Sequence, residues 1–325
     1  MHKKIVVIGA GIGGLLAAKQ LNATLITQEQ EFTFYPLLPD SISQEVTATL
    51  PVKKCHKNVL FAEVQKINLE TNTVHTNKQT ITYDYLIVAT GARAATFIPG
   101  TSKYAKSLYT LEEAKEVRKL TNKEIIVIGG GPTGVEVACE LAKNNQVTIL
   151  HRPKHLLKGF SQQTYLYANK QLSKYSVTIH TDITAQKITK NYVYTDKKRF
   201  SYDEVICAAG VQANILQGLP AEKGILVNKH LQIQGSTNAF AIGDCAQTNN
   251  PLTAQVAMYE ARLAAKNICL LQQNKPLQTN QFVCKGSMLG LGETAVLESR
   301  LSLRGKLAFW MRKTYYWLRV RSYRL

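Results

Sequence analysis

The chain has 325 residues, enough for two or three compact domains, and its 45% hydrophobic and 19% charged residues are ordinary for a globular protein. Forty Lys and Arg residues against 22 Asp and Glu residues give a formal net charge of +18, which indicates a polyanionic partner. No familiar nucleic-acid motif occurs, so we exclude nucleic acid and favour an anionic membrane surface. No apolar run reaches the ~18 residues of a spanning helix, so none is expected.

The six cysteines are scattered, and no two have the Cys-x-x-Cys spacing of a redox or metal-binding pair. They are predicted to be free thiols in a reducing compartment, and no metal site is predicted. Two lysines before an apolar run, at residues 3–8, could imitate a signal peptide. The glycines that follow argue instead for a strand, a tight turn and a helix.

The first of two glycine patterns follows a short β-branched run at residues 4–8, which predicts a buried parallel strand. It reads Gly9-x-Gly11-x-x-Gly14 and leads into a predicted helix that ends near Leu21. Glycines at this spacing allow a tight turn, close approach of a pyrophosphate and close packing of helix on strand. The free N–H groups at the start of the helix favour phosphate.

The second pattern, Gly129-x-Gly131-x-x-Gly134, follows another β-branched run at residues 124–128. A single such loop is weak support for a nucleotide site, because glycine-rich turns also occur in unrelated α/β units. Two copies, each between a strand and a helix, predict two dinucleotide sites in one chain.

Neither unit has the acidic residue that normally binds the adenosine ribose about 20 residues after the loop. The first has Thr27 there, with Glu29 two places later, and the second has His151-Arg152 with Lys154 close by. Because arginine near this position can accommodate a 2′-phosphate, we hypothesise that NADPH is used, alone or beside NADH. The alternative is that the basic residues merely occupy a surface loop.

Four further segments follow in order: "FYPLLPDSIS" (34–43), "YDYLIVATGA" (83–92), "VICAAGVQAN" (205–214) and "NAFAIGDCA" (238–246). With the glycine loops, they closely resemble the pyridine nucleotide-disulfide oxidoreductase superfamily of flavoproteins. More narrowly, the chain is similar to type II NADH:quinone oxidoreductases from Lys4 to about Lys285. "PLLP", "TAQVA" (253–257) and "KGSMLGLG" (285–292) are the most discriminating segments.

The resemblance implies an α/β fold with two Rossmann-like, three-layer ββα domains, the first binding FAD and the second NAD(P)H. The FAD domain would be discontinuous, 1–105 and 226–285, with the NAD(P)H domain inserted at 106–225 and a membrane-association segment at 286–325. The implied residues on the FAD side are Gly9, Gly11, Gly14, Glu29, Pro36, Leu37, Thr90, Gly91, Gly243, Asp244, Gln255 and Ala257. Those on the NAD(P)H side are Gly129, Gly131, Gly134, His151, Arg152 and Gly210.

Within this set, Asp244 would hydrogen-bond the ribityl chain of FAD; the alternative is a turn or helix-capping aspartate. Disulfide and persulfide reductases of the superfamily need cysteine near the flavin. No cysteine occurs between residues 14 and 54, and Cys55 is interpreted as incidental. The absence of such cysteines counts against those reductases, and the resemblance to type II NADH:quinone oxidoreductases implies a membrane quinone as the acceptor.

The predicted catalytic residues are Glu136, Gln255, Tyr259 and Lys285, at or near family positions. Glu136 would lie near nicotinamide and flavin as a proton-transfer group, and the dipole at the helix start favours its ionised form. Gln255 and Lys285 would meet a quinone. Tyr259 replaces a second glutamine of the family, which leaves the acceptor open. The alternatives are that Glu136 is a capping carboxylate, Gln255 an ordinary helix-start amide and Lys285 a surface charge.

The last 21 residues, Gly305–Leu325, contain both tryptophans, and residues 300–325 have eight basic residues and no acidic one. Helical spacing predicts an apolar face formed by Leu307, Trp310, Met311, Thr314, Trp317, Leu318 and Leu325. Arg312, Arg319, Lys306, Lys313 and Arg324 lie mostly off it. Such a helix suits the plane of a membrane interface. The alternative is a helix packed on the body or on a second subunit.

The sequence therefore predicts a non-pumping, FAD-dependent NAD(P)H:quinone oxidoreductase, peripheral on the cytoplasmic side of the cell membrane. A homodimer is compatible with it. Two alternatives stay open: a soluble ferredoxin reductase or oxidase of the same superfamily, and a non-catalytic flavoprotein sensor or scaffold. Bleaching of the flavin by NAD(P)H and its recovery on adding quinone would favour the enzyme.

Overall fold

The computed structural model describes residues 3–44 and 46–324. The α-helices within these ranges are α1 (Ile12–Leu21), α2 (Thr101–Tyr104), α3 (Leu111–Arg118), α4 (Pro132–Leu141), α5 (Gln162–Lys174), α6 (Ala254–Gln272) and α7 (Lys306–Ser322). Short 3-10 turns occur at Tyr35–Leu37, Asp40–Ile42, Val52–Lys54 and Gly243–Cys245.

The strands are short and fall into several small sheets. In chain order they are β1 (Ile5–Ile8), β2 (Thr24–Thr27), β3 (Glu31–Thr33), β4 (Thr49–Pro51), β5 (Val59–Phe61), β6 (Val64–Asn68), β7 (Thr73–Thr76), β8 (Thr80–Thr82), β9 (Tyr85–Val88), β10 (Ala92–Ala94), β11 (Glu124–Ile128), β12 (Gln146–His151), β13 (Thr178–Thr181), β14 (Ala185–Ile188), β15 (Tyr192–Thr195), β16 (Arg199–Ser201), β17 (Glu204–Cys207), β18 (Val211–Ala213), β19 (Ile225–Leu226), β20 (Ala239–Ala241), β21 (Ala246–Gln247), β22 (Ser287–Leu291), β23 (Thr294–Glu298) and β24 (Ser302–Gly305).

The first parallel sheet has the order β20-β9-β1-β2-β5, with the strand before the first glycine loop at its centre. Because side chains alternate along a strand, Val7 packs with α1 and α6 on one face, while Val6 and Ile8 pack on the other. That other face is covered by the antiparallel sheet β6-β7-β8 through Ile67 and Val74. The result is one complete three-layer unit.

The second parallel sheet, β13-β12-β11-β17, repeats this construction around the second glycine loop. Val127 packs toward α4 and α5, whereas Ile126 and Ile128 pack toward the antiparallel sheet β14-β15-β16. Two Rossmann-like three-layer units in one chain confirm the predicted fold class.

The chain enters the second unit and later returns to the first. The strands β10 and β18 cross between the units as an antiparallel pair, and β20 joins β9 in the first sheet from more than 150 residues further along the chain. A first unit assembled from two separate stretches supports the discontinuous domain, although the predicted boundaries at 105/106 and 225/226 stay a prediction.

The C-terminal segment contains a sheet that the sequence analysis did not predict. The strands β22, β23 and β24 form an antiparallel sheet, and α7 packs on it through Ala308 and Phe309. Further along α7, Tyr316 and Val320 join the core of the first unit. The terminal helix is therefore seated on the body of the protein along one face.

Candidate functional site

A cleft of about 1130 Å³ runs between the two units. Most of the predicted FAD-side residues line it: Gly9, Gly11, Gly14, Glu29, Pro36, Thr90, Gly91, Gly243, Asp244 and Ala257. From the second unit, Glu136 and Gly210 also line it. A hydride can pass between two dinucleotides only when both reach one space, and the fold provides that space.

The first glycine loop has the geometry of a phosphate cradle. Gly9 has a φ of +101°, and a Cβ there would lie 2.3 Å from the backbone oxygen of Ala89. A Cβ on Gly14 would lie 1.9 Å from the oxygen of Gly9, so neither position admits a side chain. At Gly11 the space beside the backbone is open, and α1 begins without a side-chain cap. Its first N–H groups are thus available to an anion.

The second loop reproduces these distances closely. Gly129 has a φ of +115° and would place a Cβ 2.3 Å from the backbone oxygen of Ala208, and Gly134 would place one 2.0 Å from the oxygen of Gly129. Gly131 is open, and α4 begins without a side-chain cap. These glycines lie behind the cleft wall, which is formed here by Pro132 and Thr133. The same geometry indicates the same class of ligand, a dinucleotide pyrophosphate.

Asp244 lies in the 3-10 turn after β20, on the cleft wall. The turn is held by Glu260, a fully buried residue of α6 whose carboxylate accepts a hydrogen bond from the Gly243 N–H at 2.7 Å. Burial and the nearby Glu260 raise the pKa of Asp244. Among the described residues its own carboxylate has no hydrogen-bond partner, so it is free to accept hydroxyl groups of a ligand.

At the end of β12, His151 has both ring nitrogens in hydrogen bonds. Its Nδ1 accepts from the Gly130 N–H at 3.0 Å, so the hydrogen is on Nε2 and is donated to the carbonyl of His155 at 3.1 Å. Burial lowers the pKa of His151. The imidazole is therefore neutral and packs against the second glycine loop. It is not the potential cation that the sequence suggested. The cations at this edge are Arg152 and Lys154, both exposed.

Glu136 lies on α4, beside the first turn of the helix. Its Oε1 accepts hydrogen bonds from the Gly290 N–H at 2.7 Å and from Nη2 of Arg312 at 3.1 Å. Burial raises the pKa of Glu136 to about 7, against the lowering effects of Arg312 and Gly290. Burial thus opposes the ionised form that the helix dipole favours, and the role predicted for Glu136 stays a prediction.

Arg312 is a site residue that the sequence analysis placed only among the basic residues off the apolar face. It is fully buried, and its Nη1 donates to both carboxylate oxygens of Asp40, at 2.8 and 2.7 Å. One signal could have found it: it stands at a spacing of four between Ala308 and Tyr316, two residues of the buried side of α7. A single charged residue among positions that otherwise carry uncharged, buried side chains predicts a buried ion pair.

Gln255, Tyr259 and Lys285 are brought together, but outside the cleft wall. The side chain of Gln255 accepts from the Lys285 N–H at 2.8 Å and donates to the carbonyl of Gly286 at 3.3 Å. The Tyr259 hydroxyl accepts from the Gln281 N–H at 3.0 Å. These side chains hold the 281–286 segment against α6, and the Lys285 side chain is exposed. Leu37 lies in the core beneath Pro36 instead of lining the cleft.

The family model for the pyridine nucleotide-disulphide oxidoreductases matches residues 3–261. The chain belongs to this family. All six of its cysteines are free, and Cys55 is buried. Among the described residues of the first unit, no cysteine lines the cleft.

The relatives of this family member include several quinone reductases. The mitochondrial external alternative NADH-ubiquinone oxidoreductase of Yarrowia lipolytica is 26% identical over 81% of this chain and 58% of its own length. The demethylphylloquinone reductase NdbB of Synechocystis is 27% identical over 96% of this chain and 91% of its own. The chain thus spans about three fifths of the mitochondrial relative. These names confirm the resemblance to type II NADH:quinone oxidoreductases.

Solved structures agree on the fold. NDH2 from Plasmodium falciparum in complex with NADH has a TM-score of 0.85 at 20% identity, covering 97% of this chain and 94% of its own. The sulfide:quinone oxidoreductase of Aquifex aeolicus has a TM-score of 0.87 at 20% identity, covering 99% and 92%. At 20% identity these matches show the fold alone. They cover 97–99% of the chain, so the shared fold includes both units and the C-terminal segment.

Proposed function

We propose that the protein is a non-pumping, FAD-dependent NAD(P)H:quinone oxidoreductase. The observation that carries the proposal is the cleft into which both dinucleotide units open. Relatives named as ubiquinone and demethylphylloquinone reductases, which match along most of this chain, support a quinone as the acceptor.

The residues of the first unit fit FAD. Open space at Gly11, an uncapped α1 and an unpartnered Asp244 are what a pyrophosphate and a polyhydroxyl chain require. Glu29 lines the same cleft at the end of β2, where an adenosine ribose would lie. When bound, FAD accepts a hydride from the nicotinamide and passes two electrons to the acceptor.

The second unit would bind NAD(P)H at Gly131 and the start of α4 and direct the nicotinamide past Gly210 into the cleft. Glu136 stands where the two units face each other. With a pKa near 7 it exchanges a proton at working pH, and its Oε2 has no hydrogen-bond partner among residues 3–44 and 46–324. We assign it the proton transfer that accompanies reduction.

We assign contact with the quinone acceptor to Gln255, Tyr259 and Lys285. Small residues at Ala254 and Ala257 leave room on the cleft side of α6. The exposed Lys285 is anchored by Gln255 through its backbone, so its ammonium is free to approach the oxygen of a quinone. A cation there would stabilise the anion formed as the ring is reduced.

We further propose that α7 binds the cytoplasmic membrane surface. Among the described residues, no helix has the length and apolar character to span a bilayer. The apolar residues off the packed side of α7 are nevertheless exposed to solvent: Leu307, Trp310, Met311, Trp317 and Leu318. Basic side chains accompany them, with Arg321 over the Trp317 ring at 3.6 Å from its centroid. Aromatic and basic groups together suit an anionic interface.

Anaerobic titration tests the enzyme. NADH or NADPH should bleach the yellow flavin, and a quinone in detergent should restore the colour. A flavin that is bleached but recovers only with ferredoxin or oxygen would refute quinone reduction.

Vesicle binding tests the anchor. Removing residues 305–325 would also remove Arg312, so surface substitutions are the cleaner choice. The double substitution Trp310→Ser and Trp317→Ser should release the protein from anionic vesicles, whereas Phe97→Ser, an equally exposed aromatic elsewhere, should not. Equal retention of both variants would refute an anchor at α7.

A further inference from the structure

We propose that Arg312 is a positioning residue: from α7, it fixes the Glu136 carboxylate at the cleft and sets how tightly that carboxylate holds a proton. The inference rests on the proposed role of Glu136 in proton transfer, and goes beyond it by making the C-terminal helix part of the redox site.

The buried cluster has one cation for two carboxylates. Arg312 spans three parts of the fold: Asp40 in the segment after the "PLLP" motif, Glu136 on α4 and the backbone of Gly290 on β22. It is fully buried, as is most of Asp40. With both carboxylates ionised, the cluster would carry a net negative charge away from water. One proton restores neutrality, which is the favoured state of a buried group.

The geometry decides which carboxylate takes that proton. Asp40 receives two hydrogen bonds from Nη1 at 2.7 and 2.8 Å, whereas Glu136 receives one from Nη2 at 3.1 Å. Glu136 is therefore the carboxylate that the guanidinium stabilises less, and we assign the exchangeable proton to it. Its unpartnered Oε2 is the atom available to exchange it.

The other groups around Glu136 do not compete for this role. Glu140, one turn further along α4, is paired with Lys143 at 2.5 Å. Tyr316 of α7 lies under the guanidinium, whose Cζ is 4.7 Å from the ring centroid. Gly290 contributes only its N–H. Within the described residues, Arg312 is therefore the one cation in direct contact with the Glu136 carboxylate.

Gly290 shows how closely the guanidinium is fitted. A Cβ there would lie 3.1 Å from Cζ of Arg312 and 3.2 Å from both Nη atoms. The position of Arg312 is set on three sides by β22, Asp40 and Tyr316. Any displacement of α7 from the body therefore changes the distance from Nη2 to Glu136.

The test is an infrared titration of the FAD-loaded protein without nicotinamide, which follows protonated carboxyl absorption against pH. Glu136→Gln identifies the band of Glu136 by its loss. Arg312→Gln should move the midpoint of that band to higher pH by about one pH unit, a tenfold change in proton affinity. Asp40→Asn should move it the opposite way, because it removes the competing negative charge.

Arg321→Gln is the matched control, since it removes an exposed positive charge from the same helix and should leave the midpoint unchanged. If Arg312→Gln fails to fold, Arg312→Lys can replace it. Lysine keeps the positive charge but not the paired N–H donors of the guanidinium, so the midpoint should rise by less. The midpoint in Asp40→Asn should still fall. Midpoints in Asp40→Asn and the Arg312 variants equal to that of Arg321→Gln would overturn the proposal. A flavin that no quinone reoxidises would refute the proposed function and leave this titration unaffected.

Discussion

The two glycine loops are nearly identical in backbone geometry but differ in what covers them. In the first, Ile12 and Gly13 are buried, and a Cβ on Gly13 would lie 3.1 Å from the backbone oxygen of Ala257 on α6. In the second, the corresponding Pro132 and Thr133 are exposed and line the cleft. The first loop is closed by a helix and the second is open to solvent.

This difference matches two different demands on a dinucleotide. A cofactor that stays bound through many turnovers gains from a closed site, because release requires moving a packed helix. A co-substrate has to leave after each turnover, and an open site permits that. We therefore expect similar pyrophosphate contacts in both units and a longer residence time in the first, where α6 covers the loop.

The largest expected effects come from a matched pair of substitutions at the open glycines. Gly11 and Gly131 have φ values of −75° and −76°, and no described residue beyond the adjacent chain comes within 4 Å of a Cβ at either site. Valine at either position is thus compatible with the fold but occupies the pyrophosphate space. Gly11→Val should give a folded, colourless protein, and Gly131→Val a yellow one that NADH does not reduce.

Each variant is the control for the other. We expect more than about 100-fold weaker binding, equivalent to two lost charge-assisted hydrogen bonds of about 1.5 kcal/mol each. Flavin content and nicotinamide-dependent bleaching measure it. Loss of flavin in Gly131→Val, or retention in Gly11→Val, would contradict the assignment of the two loops.

Glu136 provides the next largest effect, at the junction of the two units. Its raised pKa of about 7 means that the carboxyl is protonated below that pH and loses its proton above it. Turnover that draws on this proton should fall as pH rises through about 7. Glu136→Gln should be about 100-fold slower and lack this limb of the profile. Glu293→Gln, which changes an exposed carboxylate, should behave like the parent protein; a pH limb that persists in Glu136→Gln would contradict the assignment.

The parts of this site that the sequence predicted are those determined over short stretches of chain. Gly9 and Gly129 follow their strands directly, and the turn at Asp244 follows β20 in the same way. In each case the residue types that mark the turn lie within one short stretch, although distant residues such as Ala89 and Glu260 also hold it. Local pattern is then sufficient.

The parts that were missed depend on contacts across the chain. Arg312 and Asp40 are 272 residues apart, and Glu136 and Gly290 are 154 apart. The sequence placed Glu136 at a helix start, where the dipole favours the anion, but could not show how deeply β22 and α7 bury it. Gln255 similarly reads as a free amide until the 281–286 segment is seen to use it.

A smaller effect is expected where the second unit meets the C-terminal sheet. A methyl group at Gly290 would press on Arg312, which is fully buried and is held by Asp40 and Glu136. Gly290→Ala should therefore lower the free energy of unfolding by about 1–3 kcal/mol, as overpacking does. Gly131→Ala, where the space is open, should leave it unchanged. Denaturant unfolding compares the two, and equal stabilities would show that the guanidinium is not confined.

The smallest expected effect concerns the end of the second unit where the adenosine of NAD(P)H would bind. Because His151 is neutral and tied to Gly130 and His155, a 2′-phosphate there would be met by the exposed Arg152 alone or with Lys154. An exposed cation and phosphate interact modestly, so Arg152→Ala should lower kcat/KM for NADPH by about tenfold and leave that for NADH unchanged. Lys158→Ala, which removes an exposed charge of the same loop, is the control. A parent protein that prefers NADH by more than about tenfold, a margin of about 1.4 kcal/mol, would instead show that this edge does not recognise the phosphate.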